Sequence, residues 1–241
     1  MASTYKIRAY NTKEEWLLAR NKVNEKNFTI SSTEAATVLN VNPFQTITDL
    51  YDIKLGLKRR PDISNKACVQ YGVQSEDLIR RQAMIDLPYF ELDYRPYDIY
   101  ESVEYPFMIA TLDGFLTIKT PDNPWGFEVG EVGLLEIKTG QLRSSEALRK
   151  VKEDIPINYY CQMLHAAKII GASFVINPCR YKWDAYRDEQ RGMPDIFCFY
   201  HLIDLRDQEI VKDQKSIIQT EQYFIQQYLV KKQRPNLVIK F

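Results

Sequence analysis

The segment Gly133-Leu-Leu-Glu-Ile-Lys-Thr-Gly140 alternates as a β-strand does when its two faces meet different surroundings. Leu135 and Ile137 would point into a hydrophobic core, while Glu136 and Lys138 would share the opposite face. A carboxylate and an ammonium held side by side suit phosphodiester hydrolysis. The carboxylate can bind Mg²⁺, and the lysine can orient or deprotonate the attacking water and stabilise developing charge. The alternative is an ordinary ion pair on an exposed strand.

The segments on either side of this strand predict an α/β fold: a central mixed β-sheet flanked by helices, with a helical N-terminal third. Capping boxes predict helices after Thr12, Ser31 and Thr46, the first running to about Glu25. Further helices are expected at about Ser64–Ile85, Ser144–Asp154, Pro156–Ile170 and Gln208–Lys232. Aromatic and β-branched runs predict strands at Tyr89–Asp93, Tyr97–Tyr105, Phe107–Lys119, Val132–Thr139, Ser173–Ile176 and Ile196–Leu205. Because the chain has no repeat, low-complexity tract or linker, we expect residues 1–241 to form a single domain.

Charge and cysteine content exclude other classes of protein. The chain has 32 basic and 32 acidic residues, which argues against a protein that merely coats nucleic acid but not against an enzyme with one basic groove. Basic clusters at Lys54–Arg60, Arg143–Lys152 and Lys231–Arg234 are either solvated faces or DNA contacts. The four cysteines form no CxxC pair, so a cysteine metal site is not expected. No apolar run would span a bilayer and the start is unlike a signal peptide, so we expect a cytoplasmic protein with no membrane partner.

Asp113 closes the apolar run Ile109-Ala-Thr-Leu and is a candidate metal ligand. Asp-Gly is also the favoured dipeptide of a hairpin turn, so a turn is the alternative. An aspartate followed some twenty residues later by Glu-x-Lys, both on strands, matches the needs of a metal site. Asp113, Glu136 and a backbone carbonyl such as that of Ile137 can supply oxygen ligands to Mg²⁺ and leave positions for water.

Four further residues on predicted helices are candidates. Glu76 shares a helix face with Gly72, and a glycine inside a helix implies close approach of another element or of DNA; the alternative for Glu76 is an ordinary exposed helix glutamate. Arg20 lies on the inward stripe of the first helix, so its guanidinium needs a phosphate or a buried carboxylate as partner. Tyr159 and Gln162 border the inward face of a later helix, where Gln162 could simply be a hydrogen-bonded polar residue.

The order of these pieces is more specific than any one of them. W-x3-R, I-x2-T-E-A-A leading to N-P-F, G-x3-E, D-G, E-x-K and Y-x2-Q follow one another between about Glu15 and Ala167. This order resembles the YqaJ-like viral recombinase family, to which phage lambda exonuclease is similar and which has the PD-(D/E)xK restriction-endonuclease-like fold. The region from Ser173 to Phe241 shows no such resemblance.

The resemblance implies a Mg²⁺-dependent 5′→3′ exonuclease, with Mn²⁺ as a substitute ion, that resects double-stranded DNA ends for strand-annealing recombination. Asp113 and Glu136 would bind metal, Lys138 would position the water, and Glu76 would assist a second metal. The residues that would match the family's 5′-phosphate pocket are Arg20, Thr33, Thr111 and Gln162, with Tyr159 beside it. A single-strand annealing protein and a ring-shaped homotrimer are the assemblies that the family suggests.

The chain departs from the family pattern in two places. Thr33 and Thr111 stand where serine is usual, and Ser31 and Ser32 precede Thr33 as competing phosphate ligands. The stretch Pro121–Gly130, with Trp125, separates Asp113 from Glu136 and has no assigned role.

Two rival functions remain: an endonuclease or nickase of the same fold, and a catalytically silent subunit that binds DNA ends.

Overall fold

Helices cover two mixed β-sheets in the computed structural model, which describes residues 3–21, 27–184 and 194–236. The strands are β1 Tyr5–Arg8, β2 Ile30–Ser31, β3 Phe90–Asp93, β4 Ile99–Ser102, β5 Met108–Ala110, β6 Gly114–Ile118, β7 Val132–Leu135, β8 Lys138–Leu142, β9 Phe174–Trp183 and β10 Ile196–Asp204. The helices are α1 Lys13–Asn21, α2 Ser32–Val38, α3 Ile47–Lys54, α4 Ala67–Asp86, α5 Ser145–Glu153, α6 Ile157–Ile170 and α7 Gln208–Tyr223, which continues as a π-helix over Phe224–Val230.

The larger sheet has the order β10-β9-β7-β6-β3, and β8 pairs with the second half of β9. The smaller sheet has the order β1-β4-β5-β2. The predicted α/β fold, with mixed sheet flanked by helices, is confirmed, and the strands are divided between two mixed sheets. The predicted strand Phe107–Lys119 breaks at Thr111–Asp113, so that β5 belongs to the smaller sheet and β6 to the larger. The chain thus crosses between the sheets immediately before Gly114.

A second predicted strand, Val132–Thr139, is also divided. β7 and β8 both run parallel to β9 in one continuous register, with Leu135 opposite Ile176 and Lys138 opposite Cys179. The Glu136 N–H donates to the Ile176 carbonyl at 3.0 Å, and the next bond of a parallel ladder would come from the N–H of residue 178. That residue is Pro178, which has no N–H. The ladder is therefore interrupted beside Glu136 and Ile137.

The side chain of Asn177 supplies the missing donor. Its Nδ2 donates to the Glu136 carbonyl at 2.6 Å, and its Oδ1 accepts from the Cys179 thiol at 3.3 Å. Only 1% of Asn177 is exposed. The strand expected to end at Ile176 consequently continues through Asn-Pro to Trp183.

Helix α6 lies at the centre of the main core. Its residues Cys161, Met163, Leu164 and Ala166 are buried against α2, the smaller sheet and α7. A buried His165 ties these elements together, because Nδ1 lies 2.6 Å from Glu221 Oε1 and Nε2 lies 3.2 Å from the Ile109 carbonyl. Burial raises the pKa of Glu221.

The stretch Pro121–Gly130 forms a loop between β6 and β7 that packs on the end of the larger sheet. The Trp125 ring stacks on Phe90 at 5.7 Å, and Phe127 is buried against Phe174 at 4.6 Å. The Arg206 guanidinium donates to the carbonyls of Trp125 and Gly126. These contacts give the loop a structural role.

The predicted helices agree with the structure apart from their ends. Thr46 is the N-cap of α3, and its Oγ1 accepts from the Asp49 N–H at 3.1 Å. Ser31 is the N-cap of α2, and its N–H donates to the Glu34 carboxylate at 2.8 Å. The expected extension of the first helix to Glu25 lies outside the described residues. Strands β1 and β2 were not anticipated in the N-terminal third.

Candidate active site

Glu136 lies where β7 ends and the ladder is interrupted, and only 3% of it is exposed. Its Oε1 accepts from Lys138 Nζ at 2.8 Å and from Gln162 Nε2 at 2.5 Å. Its Oε2 is buried and has no hydrogen-bond partner within the described residues. A buried carboxylate oxygen without a partner is unfavourable in a folded protein, so this atom is a candidate ligand for a cation.

Lys138 is held on three sides. Besides Glu136, its Nζ donates to Gln162 Oε1 at 2.9 Å and lies 4.7 Å from the centre of the Tyr159 ring. Burial alone would lower the pKa of Lys138, but the carboxylates of Glu136 and Asp113 outweigh it and raise the pKa. The side chain is therefore an ammonium near neutral pH, which suits charge stabilisation and orientation of water rather than proton abstraction.

Asp113 lies in the crossing between the two sheets, directly before β6. Its Oδ2 accepts from the Ile137 N–H at 2.8 Å, which joins the two predicted metal-binding segments. Burial, with the neighbouring Glu136 charge, raises the pKa of Asp113 to about 8. The hairpin alternative is wrong, because Gly114 lacks the positive φ of such a turn. A Cβ on Gly114 would instead lie 2.4 Å from Leu92 Cδ1 and 3.1 Å from Leu135 Cβ, so a larger residue would force these side chains to move.

Glu76 lies on α4, with its side chain one-third exposed. Burial, opposed by Arg80 and reinforced by Glu136, raises its pKa. Gly72, one turn earlier, allows α4 to approach β8, because a Cβ there would lie 3.1 Å from Thr139 Oγ1. Of the two explanations for a glycine inside this helix, the structure thus supports close approach of another element.

Arg80 is a residue of this site that the sequence analysis missed. Its Nη1 lies 3.5 Å from the Asp113 carbonyl and 4.0 Å from Glu76 Oε2, and its guanidinium stacks 3.6 Å from the centre of the Tyr94 ring. Only 7% of Arg80 is exposed. The available signal was its position four residues after Glu76, on the same helix face.

The residues present fit a divalent cation. Burial, with the charge of Glu136, raises the pKa of both Asp113 and Glu76, and the nearby cations Lys138 and Arg80 do not cancel this effect. No group of three His, Cys, Asp or Glu side chains lies at metal-binding distance among the described residues. The fit therefore rests on Asp113, on Glu136 Oε2 and on backbone oxygen such as the Ile137 carbonyl, with Glu76 farther away.

The predicted phosphate ligands are divided between two places. Arg20 Nη2 donates to Thr33 Oγ1 at 3.1 Å, and Thr33 Oγ1 lies 3.1 Å from Ser31 Oγ. Gln162 and Tyr159 instead lie against Lys138. Thr111 is partly buried in the crossing, two residues before Asp113.

Arg20 has a hydroxyl partner but no anionic one in the part of the chain that the structure describes. Burial lowers its pKa, while the charges of Glu34 and Glu136 act in the opposite direction and that of Arg60 acts with burial. Its guanidinium also lies 5.1 Å from the centre of the Trp16 ring. Among the described residues, no carboxylate lies in salt-bridge contact with Arg20, and an anion from outside the chain could fill this position.

The fold and site together define a class of protein. The topology matches solved exonucleases of the PD-(D/E)xK-like fold, and the carboxylates and lysine lie where β7 meets β8. One match is an alkaline exonuclease, LHK-Exo from Laribacter hongkongensis, with 18% identity, a TM-score of 0.55 and coverage of 91% of this chain and 97% of that one. A phage-related exonuclease from Haemophilus somnus 129PT has 13% identity, a TM-score of 0.51 and coverage of 86% and 97%.

The chain belongs to the YqaJ-like viral recombinase domain family, whose model matches residues 15–173. No curated protein sequence matches it significantly. LHK-Exo has also been solved in complex with dAMP, and that structure matches with 18% identity, a TM-score of 0.53 and coverage of 91% and 97%. Family and fold support a nuclease. Within the described residues, no helix is long and apolar enough to cross a membrane.

Proposed function

We propose that this protein is a Mg²⁺-dependent 5′→3′ exonuclease that resects double-stranded DNA ends in the cytoplasm for strand-annealing recombination. The observation that supports it most directly is the unpartnered Glu136 Oε2, buried beside Asp113 and next to the Lys138 ammonium. Asp113, Glu136 and the Ile137 carbonyl would hold Mg²⁺ or Mn²⁺, with Glu76 assisting, and the ion would supply positive charge to the phosphate.

Lys138 then has a defined task. Glu136, Gln162 and Tyr159 hold its Nζ in one place, so little reorganisation is needed when charge develops on the phosphate. We propose that Lys138 orients the attacking water and stabilises the transition state as a cation. The raised pKa of Lys138 supports this role over that of a general base.

End recognition is assigned to Arg20 and Thr33. The Arg20 side chain is partly buried, lies in the field of Glu34 and Glu136, donates to a hydroxyl and has no carboxylate in salt-bridge contact among the described residues. A 5′-terminal phosphate would give it an anionic partner. Binding the terminal phosphate there would place the next phosphodiester over the carboxylates. Thr111 and Gln162 would complete the pocket, with Tyr159 beside it.

The test uses linear and covalently closed circular duplexes with and without Mg²⁺. We expect the linear DNA alone to be degraded, only with Mg²⁺, and 5′-labelled ends to release label first. Asp113→Ala and Glu136→Ala should abolish cleavage and retain DNA binding. Cleavage of the closed circle would favour the endonuclease, and normal turnover by either variant would refute the metal assignment.

A further inference from the structure

A strongly basic cleft of about 500 Å³ opens beside Arg20. Its volume is that of a small-ligand site, and Phe28, Ile53 and Ile109 form apolar parts of its wall. None of the described residues that line it is an aspartate or glutamate. Six cationic side chains do so: Arg8, Arg20, Lys54, Lys58, Arg59 and Arg60.

Among the described residues, carboxylates that pair with the lining cations neutralise half of this charge. Three such carboxylates against six cations leave an excess of three positive charges in the described part of the chain, which would attract an anion carrying more than one charge. The pairs are Glu34 with Lys54 at 2.7 Å and with Arg60, Asp49 with Lys58 at 2.6 Å, and Glu101 with Arg8 at 3.3 Å.

Two cations of the cleft, Lys54 and Arg60, are held in position before any ligand arrives. Glu34 is 1% exposed, and although burial opposes ionisation, Lys54 and Arg60 lower its pKa to about 2. It therefore stays ionised and fixes both partners against the cleft wall. Arg59 is exposed and makes no ion pair within the described residues, so its five donors are available to a ligand.

We propose that this basic cleft is a second anion subsite, which binds phosphate groups lying beyond the 5′-terminal phosphate. The inference rests on the proposed function, in which Arg20 binds that terminal phosphate. Arg20 lines the cleft, whereas Asp113, Glu136 and Lys138 do not, so the cleft borders the proposed 5′-phosphate pocket at Arg20 and does not include the proposed catalytic residues. The phosphates can come from a polyphosphorylated 5′ end whose first phosphate Arg20 binds. They can also come from a 5′ single strand threaded past Arg20, in which case an internal phosphate takes that place.

Arg59→Ala tests the subsite, because removing an exposed, unpaired side chain leaves the fold intact. Arg149→Ala is the matched control, an exposed arginine on α5 outside the cleft. Dissociation constants are measured in Ca²⁺ for blunt duplexes with 5′-hydroxyl, 5′-monophosphate and 5′-triphosphate ends. Wild type should prefer the triphosphate to the monophosphate by roughly tenfold, the weight of one charge-assisted contact, and Arg59→Ala should lose most of that preference.

A duplex with a labelled 5′ overhang distinguishes the two sources. A threaded strand gives a short labelled oligonucleotide as first product in Mg²⁺, whereas an end stopped at Arg20 gives a labelled mononucleotide. The subsite is supported by triphosphate preference or by the oligonucleotide product, if Arg59→Ala removes it and Arg149→Ala does not. Absence of both, or equal losses by Arg59→Ala on all ends, overturns it. Failure of the proposed function is separate, because it shows as cleavage of the closed circle or as no Mg²⁺-dependent degradation of the linear duplex.

Discussion

The hydrogen bond from Asn177 to the Glu136 carbonyl can be tested by substituting Asn177 and Pro178 singly and together. In Asn177→Ala, the buried Glu136 carbonyl loses the donor that lies 2.6 Å away. An unsatisfied buried acceptor costs about 1–3 kcal/mol. We therefore expect Asn177→Ala to lower the free energy of unfolding by about 2 kcal/mol and to reduce activity, because Glu136 loses its anchor.

Pro178→Ala restores a backbone N–H at the ladder position that should face this carbonyl. In the wild-type background the donor is redundant, and loss of proline's restriction of the unfolded chain should destabilise the protein by about 0.4–1 kcal/mol. In the Asn177→Ala background the new N–H can bond to the Glu136 carbonyl, which should stabilise the protein by about 1 kcal/mol. The same substitution therefore changes sign between backgrounds.

The assay is urea unfolding of wild type, both single variants and the double variant, monitored by circular dichroism. The dependence of the unfolding free energy on urea concentration is compared among the four proteins. The four free energies form a double-mutant cycle. If Pro178→Ala destabilises both backgrounds equally, the idea that Asn177 replaces a missing backbone donor is refuted. In that case any loss in Asn177→Ala would reflect only the space left by its side chain.

Three further predictions concern charged groups. Lys138→Ala should lower kcat by about 100-fold with a much smaller change in DNA affinity; unchanged kcat with weaker binding would reassign Lys138 to a backbone contact. Arg20→Ala should slow initial rates on 5′-phosphorylated ends by about tenfold to a hundredfold and on 5′-hydroxyl ends far less, whereas equal losses would make Arg20 structural. Glu34→Gln should destabilise the fold by about 3 kcal/mol near neutral pH, from the fall of the Glu34 pKa from 4.5 to about 2. Because the folded pKa is the lower one, this stabilisation is present above about pH 4.5 and lost as pH falls toward 2, so urea midpoints of wild type and variant should converge there; a constant gap would contradict the assignment.

Local patterns in the sequence predicted most helices because capping and periodicity act within a few residues. Thr46 and Asp49 illustrate this, since their reciprocal bonds need no distant partner. The division into two sheets could not be predicted, because it depends on which strands pair across the fold. The short β1 and β2 likewise depend on partners about eighty to a hundred residues away.

The part of the candidate site that comes from one short segment could be predicted from the sequence. Glu136 and Lys138 were expected on one face of the chain, and their side chains are hydrogen-bonded to each other. Arg80 and Asn177 were missed because their contacts with Asp113 and Glu136 are tertiary. The predicted strand Ser173–Ile176 stopped before Asn177 and Pro178, although a side chain can replace the backbone donor that proline removes. The single domain, the trimer and the annealing partner stay predictions.

The reliance of Glu136 on β9 has a consequence for how this protein can be divided. The family match ends at residue 173, one residue before β9 begins. A fragment of residues 15–173 would carry every motif of the proposed chemistry yet lack the Ile176 carbonyl and the Asn177 amide that hold Glu136. Its β7 and β8 would be left with an open edge exposed to solvent and to other chains. A gene truncated at this boundary should therefore encode a polypeptide that aggregates rather than a smaller enzyme. The part of the chain that the family model matches is thus shorter than the part that we expect to be needed for folding.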